Sequence, residues 1–375
     1  MKLELIATAT FGLEAVVKRE IEALGYKILK TEDGKVTYMG DERAIAKSNL
    51  WLRSADRVLL KMAEFKAMEF EELFQQTKAL PWEQLIPVDG IFTVTGSSVK
   101  SKLHSVPACQ KIVKKAIVEK LKEFYGVEGF EETGAEYTVK ATILKDRVTL
   151  TVDTSGVGLH KRGYRVADVA APIKETLAAA MVQLSFWRDN RVMFGPCCGS
   201  GTIPIEAAMI ARNIAPGLNR SFASEEWEFI KPEIWKEERK AAFEAMDYDK
   251  ELEIYGFDIN KKAVAAAIEN AEEAGVDDCI KFMKVNVKDL RPVGENGIII
   301  TNPPYGERIG EKKEIKEIYQ AYNKFFKENP DWSLFMITTD KKVEELIMER
   351  EANRRRKLYN GRLEVCYYQF HGEKK

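Results

Sequence analysis

The chain has 375 residues, of which 45% are hydrophobic, 10% aromatic and 31% charged. This composition is typical of a globular protein with a sizeable core, and it excludes disordered, collagen-like and coiled-coil chains. The 58 Lys and Arg residues nearly balance the 59 Asp and Glu residues. A nucleic-acid site must therefore come from local clusters of basic residues.

The cysteine and histidine content argues against a disulfide framework and against a zinc site. There are five cysteines, an odd number with no CxxC pair, and three histidines. The N-terminal sequence lacks a signal-peptide core, and no stretch approaches the ~20 apolar residues of a membrane span. We therefore expect a cytoplasmic protein with no metal and no membrane partner.

Residues 1–60 are predicted to form a small α+β domain. Short apolar strands over 3–8 and 36–39 alternate with amphipathic helices over 13–24 and 44–51. The Asp33-Gly34 pair before the second strand is a hairpin signal.

Residues 61–165 form a second predicted domain, in which basic residues are unevenly distributed. Residues 95–125 contain seven Lys and two Glu, and residues 140–165 contain six basic residues and two Asp. A solvated helix face explains one Lys-rich helix, but two adjacent basic segments joined by small polar residues favour contact with phosphates. The candidate phosphate contacts are Lys100, Lys102, Lys111, Lys114, Lys115, Lys161, Arg162 and Arg165.

From residue 166 to 375 the pattern is a repetition of strand and helix. Near-continuous β-branched runs such as residues 297–301 predict a parallel sheet covered on both faces. Asn360-Gly361 lies between two strand patterns and predicts a terminal antiparallel hairpin. A further helix is predicted over residues 341–350. The region is therefore an α/β domain whose sheet ends in an antiparallel pair.

The first candidate ligand motif is residues 195–202 (GPCCGSGT), after an apolar strand and before a helix. Glycines let the backbone approach a ligand closely, and a helix N-terminus attracts anions. Taken alone, this motif is better explained by a tight strand-to-helix turn than by a ligand site. It matches neither a full GxGxxG nor a P-loop, so neither NAD nor ATP is favoured.

Asp258 ends the next predicted strand, where an acidic residue suits hydrogen bonding to ribose hydroxyls. A helix N-cap is the alternative role for this residue. The interval from Gly201 to Asp258 is much longer than the usual ~20 residues, and we interpret residues 216–250 as an insertion.

Asn302-Pro303-Pro304-Tyr305 is the most specific motif of the chain, and it follows a buried strand. Two prolines stiffen a loop at the carboxyl end of the strand, where α/β sheets bind ligands. The Asn302 side-chain oxygen and the Pro303 carbonyl can then hold an exocyclic amino group, with Tyr305 stacked on the base.

These motifs together resemble those of the THUMP-domain 23S rRNA guanine-N2-methyltransferases. The resemblance extends over nearly the whole chain through residues 8–14 (TATFGLE), 153–165 (DTSGVGLHKRGYR), 171–180 (APIKETLAAA), 215–220 (APGLNR) and 302–308 (NPPYGER). It implies a ferredoxin-like domain over 1–60, an RNA-binding THUMP domain over 61–165 and a Rossmann-like methyltransferase domain over 166–375. It also implies S-adenosylmethionine as cofactor and 23S rRNA, or a ribosome assembly intermediate, as partner.

The resemblance assigns roles residue by residue. The Asn302, Pro303, Pro304 and Tyr305 loop would hold the guanine, Asp258 the ribose of the cofactor, and Asn286 its adenine. The loop residues implied to contact the cofactor are Pro196, Gly199, Ser200, Gly201 and Thr202, together with Pro172 and Ile173 at the start of a helix.

One departure from the family is Gly195, where relatives have the Asp of an Asp-Pro pair. A catalytically lapsed RNA-binding assembly factor is therefore one alternative function. Transfer to a tRNA guanine, or to the N6 amino group of adenine, is another. Cys197 and Cys198 suggest a nucleophile, which we reject because amino methylation needs no covalent adduct and no accompanying base motif is present.

Overall fold

A computed structural model describes residues 2–167, 172–305 and 311–373. Position 171 of the APIKETLAAA stretch and positions 306–308 of NPPYGER lie outside the described residues. The chain divides into two compact units. The first unit comprises the residues up to Thr8, Lys18–Leu159 and Ser221–Ala241; the second comprises Ala9–Val17, His160–Arg220 and the residues from Ala242 onward.

The chain up to residue 159 forms seven strands and four helices among the described residues. They are β1 (Leu3–Ala9), α1 (Glu14–Ala23), β2 (Lys27–Glu32), β3 (Lys35–Gly40), α2 (Glu42–Trp51), β4 (Ala55–Lys66), α3 (Phe70–Lys78), β5 (Ile91–Val99), α4 (Val106–Tyr125), β6 (Glu136–Leu144) and β7 (Arg147–Asp153). The strands form one sheet in the order β2-β3-β1-β4-β7-β6-β5.

Strand β4 passes through residue 60, the predicted boundary between the first two domains. It pairs antiparallel with β7 from Leu59 opposite Asp153 to Lys66 opposite Arg147. Its charged residues interrupt the alternation of polar and apolar side chains, and the sequence analysis assigned no element to residues 55–66. The two parts of the first unit therefore share a continuous sheet, while the domain boundaries remain a prediction.

The chain from residue 172 onward continues with α5 (Glu175–Ser185), β8 (Met193–Pro196), α6 (Thr202–Ala211), α7 (Pro232–Glu244), β9 (Ile254–Asp258), α8 (Lys261–Glu273), β10 (Ile280–Lys284), β11 (Ile298–Thr301), α9 (Glu311–Glu328), β12 (Ser333–Thr338), β13 (Arg354–Asn360) and β14 (Leu363–Phe370). The sheet order is β10-β9-β8-β11-β12-β14-β13. The strands from β10 to β12 are parallel, and β14 pairs antiparallel with both β12 and β13.

The predicted parallel sheet with a terminal antiparallel hairpin is confirmed. Asn360 pairs with Leu363, and Gly361 between them adopts a φ of 64°, a conformation in which glycine has no steric cost. The helix predicted over 341–350 is wrong as a regular element, because the structure has a five-residue π-helical turn at Glu344–Met348.

Strand β11 shows why the sheet is apolar on both faces. Ile298 and Ile300 belong to one buried cluster with Leu177, whereas Ile299 belongs to a second cluster with Tyr322. Successive side chains of a strand point to opposite faces, so a strand covered on both sides requires an unbroken apolar run. Coverage on both faces therefore explains the unbroken apolar run at residues 297–301.

Part of the segment interpreted as an insertion, Ser221–Ala241, belongs to the first unit. Trp227 stacks on Tyr137 with ring centroids 4.9 Å apart, and its Nε1 donates to the Glu136 carbonyl at 3.0 Å. Arg43 pairs with Glu237 and Glu238 at 2.6 Å each. These contacts stabilise the packing of the segment against the first unit.

Candidate functional site

The Gly-rich loop connects β8 to α6 and is held by backbone contacts. The Cys198 amide donates to the Phe257 carbonyl at 2.9 Å, which attaches the loop to β9. Gly201 caps α6 with a φ of +83°, and a Cβ there would lie 2.9 Å from Ala267 Cβ and 3.0 Å from Phe282 Cζ. Both the conformation and the close packing require glycine at this position.

Asp258 ends β9, and its carboxylate organises the loop. The Gly199 amide donates to Oδ2 at 3.0 Å, and the Asn260 amide donates to Oδ1 at 2.9 Å. The N-cap of α8 is Asn260, whose side chain accepts from the Lys262 amide. The alternative role of Asp258 as the helix N-cap is therefore not what the structure shows.

Asn286 follows β10 and caps the helical turn Val287–Asp289, its Oδ1 accepting from the Lys288 amide at 3.1 Å. Together with Asp258 and Pro304 it lines a cleft of about 760 Å³. This volume lies within the ~300–1,000 Å³ of typical ligand sites. The remaining lining residues are Cys197, Ile259, Val285, Val287, Lys288, Glu314, Glu317, Ile318, Gln320, Ala321 and Lys324.

The cleft lies where the strand order of the sheet reverses, between β8 and β11, and extends along the ends of β9 and β10. Open α/β sheets bind ligands at such a reversal. Ile259, Val285 and Ile318 offer apolar walls, and Asp258 and Asn286 offer oxygen acceptors. Apolar walls suit a planar purine and the acceptors suit hydroxyl and amino groups, so the residues present fit a nucleoside-containing cofactor such as S-adenosylmethionine.

Hydrogen bonds hold the Asn302 loop on both sides of Asn302. Thr301 Oγ1 donates to the Pro196 carbonyl at 2.7 Å, which ties the end of β11 to β8. Beyond it, Tyr305 Oη donates to Asn302 Oδ1 at 2.7 Å, and Asn360 Nδ2 donates to Tyr305 Oη at 3.4 Å. Because the Tyr305 hydroxyl accepts a hydrogen bond from Asn360, it donates its own proton to Asn302. This donation fixes the Asn302 side-chain amide with its oxygen towards Tyr305.

An amide oxygen has two lone pairs, so Asn302 Oδ1 keeps one acceptor position after accepting from Tyr305. Pro303 is buried and Pro304 is half-buried at the cleft. The loop therefore places an oriented acceptor, Asn302 Oδ1, beside Pro304 of the cleft lining, and its role in holding a base stays a prediction.

Pro172 and Ile173 lie just before α5, which begins at Glu175 rather than at these residues. Arg165 joins this segment to the Gly-rich loop, because its guanidinium donates to the Ile173 carbonyl at 2.9 Å and to Thr202 Oγ1 at 3.0 Å. Ser200 and Thr202 are both buried, so contact of either residue with the cofactor stays a prediction.

Asn270 on α8 is a site residue that the sequence analysis missed. Its Nδ2 donates to the Ser200 carbonyl at 3.1 Å and to the Ala167 carbonyl at 2.8 Å. Its Oδ1 accepts from the Val166 and Ala167 amides, both at 3.0 Å. A single asparagine thus ties the 166–167 segment to the Gly-rich loop, and no local sequence signal marks it.

The structure corrects the prediction that Arg162 and Arg165 contact RNA. Arg162 is 3% exposed and lies against the fully buried Glu206, with Nε 3.3 Å from Oε1. Tyr164 Oη donates to the same carboxylate at 3.0 Å. Arg165 pairs with Glu175 at 2.8 Å. A buried charge is retained only with a partner, and here the partners lie inside the protein rather than on a nucleic acid.

The lysines predicted to contact RNA are exposed. They are Lys100, Lys102, Lys111, Lys114 and Lys115 in the first unit and Lys161 in the second. In the first unit the two basic segments meet, because the Lys145 amide donates to the Val99 carbonyl at 3.1 Å and the Lys102 amide donates to Asp146 at 2.7 Å. Ser98 and Ser101 hydroxyls bond within this turn.

The cysteines of the Gly-rich loop are poor nucleophiles. Burial and the nearby Asp258 carboxylate raise the pKa of Cys197 to about 12, and the same two causes raise the pKa of Cys198 well above its usual value. A thiol rather than a thiolate is present at neutral pH, and the thiolate is the reactive form. This supports rejecting a covalent mechanism.

Among residues 2–167, 172–305 and 311–373, no group of three or more His, Cys, Asp or Glu side chains could hold a metal ion. Within the same ranges, no helix is long and apolar enough to cross a membrane.

A ligand cleft at the strand-order reversal and an Asn-Pro-Pro-Tyr loop beside it define a methyltransferase of the Rossmann-like class. Family models support this: residues 162–369 match the RMKL-like methyltransferase domain, residues 4–59 the RlmL ferredoxin-like domain and residues 67–153 the THUMP domain. The chain belongs to this RMKL-like methyltransferase family.

Relatives and solved structures agree with this assignment. The chain is 52% identical over 98% of its length to a putative RNA methyltransferase, YpsC, of Bacillus subtilis, covering 96% of that protein. It is 32% identical over 98% of its length to a ribosomal RNA large subunit methyltransferase K/L of Syntrophotalea carbinolica. The chain spans about half the length of that K/L enzyme, 53%.

Two solved structures share the whole architecture. One, described as a predicted N6-adenine-specific DNA methylase of Listeria monocytogenes, is 48% identical with a TM-score of 0.95, covering 100% of this chain and 97% of that one. The other, SMU.472, a putative methyltransferase complexed with SAH, is 44% identical with a TM-score of 0.94, covering 100% and 99%.

Proposed function

We propose that this protein transfers a methyl group from S-adenosylmethionine to the N2 amino group of a guanine in 23S rRNA. The observation that carries the proposal is the Asn302 acceptor, oriented by Tyr305 and placed beside the cleft. The matches to a THUMP domain and to relatives named as K/L ribosomal RNA methyltransferases support RNA as the substrate class.

S-adenosylmethionine is the methyl donor, in keeping with the SAH-bound relative SMU.472. When bound it supplies a sulfonium methyl group that is already activated for transfer. On the protein side, Asp258 would accept from the ribose hydroxyls while its Oδ2 keeps the Gly199 amide in place. Asn286 would hold the adenine, and Gly199 and Gly201 would let the backbone approach the methionyl end.

The chain's contribution to catalysis is positioning. Asn302 Oδ1 and the Pro303 carbonyl accept the two hydrogens of the target amino group and leave its lone pair directed towards the donor. Fixing two reactants in this way lowers the barrier by several kcal/mol without a metal or a covalent intermediate. Tyr305 stacks on the base and orients Asn302.

Folded RNA presents its guanines stacked, so the target base must be turned out at a cost of about a few kcal/mol. We propose that the exposed lysines around the turn at residues 100–102 and on α4 offset this cost by contacting phosphates. Lys111 and Lys114 lie on one face of α4, three residues apart. Such contacts are independent of sequence and weaken with salt.

Methylation of adenine N6 is the second candidate. The paired acceptors of Asn302 and Pro303 suit any exocyclic amino group, and the Listeria relative is described as an N6-adenine-specific DNA methylase. The THUMP match favours RNA over DNA as the substrate.

The decisive experiment is transfer from labelled S-adenosylmethionine to unmodified 23S rRNA and, separately, to tRNA, followed by nucleoside analysis. N2-methylguanosine in the rRNA alone is the expected result. N2-methylguanosine in tRNA would change the substrate, and N6-methyladenosine would favour the second candidate. Tight RNA binding without any product would favour a catalytically lapsed assembly factor.

A further inference from the structure

The loop of residues 10–13, within the TATFGLE stretch, is attached tightly to strand β13. Gly12 adopts a φ of +91°, and a Cβ there would lie 2.6 Å from the Lys357 carbonyl oxygen and 2.9 Å from Leu358 Cδ2. Leu13 and Leu358 are fully buried in the same cluster. The backbone therefore approaches the strand as closely as glycine permits, and the loop is held in one position.

Phe11 directly precedes Gly12, and its side chain is 44% exposed. Its ring meets Tyr359 edge-to-face, with centroids 6.1 Å apart and planes at 76°. Lys357 Nζ lies 5.7 Å from the Tyr359 ring centroid and pairs with Glu364 at 2.6 Å. An edge-to-face pair leaves ring surface open, so Phe11 and Tyr359 together offer an aromatic platform on a backbone that is held against β13.

The aromatic platform of Phe11 and Tyr359 lies beside the Asn302 loop. Strand β13 runs in the same direction as β11 and β12, because both β12 and β13 are antiparallel to β14. Its end at Tyr359 and Asn360 therefore lies at the same edge of the sheet as Asn302. The hydrogen-bond chain from Asn360 through Tyr305 to Asn302 makes this proximity direct.

An exposed arginine follows the strand that carries the aromatic platform. Of the five basic side chains in residues 354–364, Arg355 pairs with Glu344 at 2.7 Å and Lys357 pairs with Glu364 at 2.6 Å. Arg354 begins β13, at the end of the strand away from Tyr359, whereas Arg362 lies at the tip of the hairpin just after Tyr359, and it is exposed. Arginines attract phosphates while exposed aromatic rings stack with bases, which is the combination that single-stranded nucleic acids require.

We propose that the aromatic platform of Phe11 and Tyr359 is a stacking subsite for an RNA base next to the methylated nucleotide. The proposal rests on the proposed function, since it extends the same site. Turning out the target base leaves its neighbour without a stacking partner, and an aromatic ring beside the catalytic loop replaces that partner. The subsite takes any base, because every base has a π-face.

The test compares Phe11→Ala, Phe11→Leu and Phe11→Trp with the wild type. The measured quantities are KM and kcat for RNA, the Kd of an unmodified RNA fragment, and the Kd of S-adenosylmethionine. Loss of one base stack raises the RNA KM about 5- to 100-fold. We expect this for Ala and Leu, near-normal values for Trp, and an unchanged cofactor Kd throughout.

Phe243→Ala is the matched control, because Phe243 is another exposed phenylalanine, 68% exposed, on α7. An unchanged RNA KM and RNA Kd in folded Phe11→Ala would overturn the subsite. Equal losses for Ala and Trp would also overturn it, because stacking survives the exchange of one aromatic ring for another. If the wild type methylates no RNA but Phe11→Ala still weakens RNA binding, the proposed function fails, whereas stacking of an RNA base on the aromatic platform is retained.

Discussion

The Asp258 carboxylate and the Gly199 amide, 59 residues apart in the chain, are joined by a hydrogen bond of 3.0 Å. This bond connects the end of β9 to the Gly-rich loop after β8. A carboxylate proposed to bind ribose therefore also sets the shape of the loop proposed to bind the methionyl end. The two halves of the cofactor site are coupled through one side chain.

Replacing this carboxylate should weaken cofactor binding without unfolding the protein. In Asp258→Asn the charge-assisted hydrogen bond, typically ~1.5–3 kcal/mol, is lost or weakened. We expect a Kd for S-adenosylmethionine about 10- to 100-fold higher, measured by titration calorimetry. Asp289→Asn is the control, since Asp289 is an exposed carboxylate beyond β10. Equal affinity in the wild type and Asp258→Asn would contradict the assignment.

Asn302→Ala should abolish methyl transfer and leave RNA binding intact. The variant removes one oriented acceptor, a type of loss that costs ~10²–10³-fold in kcat at preorganised sites. Tyr305→Phe keeps the ring but removes the hydroxyl that orients Asn302, so we expect a smaller loss of kcat with an unchanged RNA Kd. Single-turnover transfer and filter binding measure the two quantities. Parallel loss of RNA binding in Asn302→Ala would refute the assigned role.

Gly195 provides a test of the departure from the family pattern. A Cβ at this position would lie 2.8 Å from Pro204 Cγ, so Gly195→Ala should lower the unfolding free energy by ~1–3 kcal/mol through overpacking. Gly195→Asp introduces the same Cβ contact and adds a carboxylate, so it costs at least as much stability. We expect Asp to bind S-adenosylmethionine severalfold more tightly than Ala.

The comparison of Asp with Ala at residue 195 isolates the carboxylate, because both variants introduce a Cβ. Identical cofactor Kd values for the two would show that a carboxylate here has no role in binding. A wild type that binds the cofactor tightly and transfers methyl groups would exclude the lapsed-enzyme alternative whatever the variants do.

The elements around the cleft could be predicted because their signals are local. A glycine turn between a strand and a helix, an acidic strand end and Asn-Pro-Pro-Tyr each fix the backbone within a few residues. Strand β4 had no such signal, since its place in the sheet depends on pairing with β7, about 90 residues away. Its charged residues also hide the alternation.

The burial of Arg162 was not predictable for a similar reason. In the sequence Arg162 follows Lys161, a pattern that is typical of a solvated basic segment. Its partner Glu206 lies 44 residues further along the chain, on α6. A count of charges along the sequence shows composition but not burial, which depends on tertiary packing. Only the structure therefore shows that Arg162 is buried while Lys161 is exposed.

Asn270 should act as a positioning residue for the Gly-rich loop. Asn270→Ala leaves the Ser200 carbonyl and the backbone groups of residues 166–167 without their partner, at ~1–3 kcal/mol for each buried group. Asn270→Asp keeps the acceptor for the Val166 amide but loses both donors. We expect weaker cofactor binding in both variants, with Asp at least as unstable as Ala, because its second carboxylate oxygen would face the Ala167 and Ser200 carbonyl oxygens in a buried position.

Cofactor Kd at a temperature where every variant is folded separates positioning from stability. Asn329→Ala is the control, because Asn329 also donates to a backbone carbonyl, that of Phe325, at 2.8 Å. If the Asn270 variants changed the cofactor Kd no more than Asn329→Ala does for the same loss of unfolding free energy, the positioning role would be refuted.

His160 gives the protein a defined pH dependence of stability. Burial and the charges of Lys174, Lys161, Arg162 and Arg220 lower its pKa from 6.5 to about 4. Between these values the unfolded chain binds a proton that the folded protein does not, so stability is complete above about pH 6.5 and is lost as the pH falls towards 4. His160→Gln removes this proton uptake.

The unfolding midpoint of the wild type should therefore fall more than that of His160→Gln between about pH 7 and about pH 5. Buried carboxylates such as Glu175, whose pKa is raised by burial, contribute equally to both proteins and cancel in the comparison. His104→Gln, at an exposed histidine, is the control and should follow the wild type. Parallel midpoint curves for His160→Gln and the wild type would contradict a neutral, proton-excluding His160 in the folded protein.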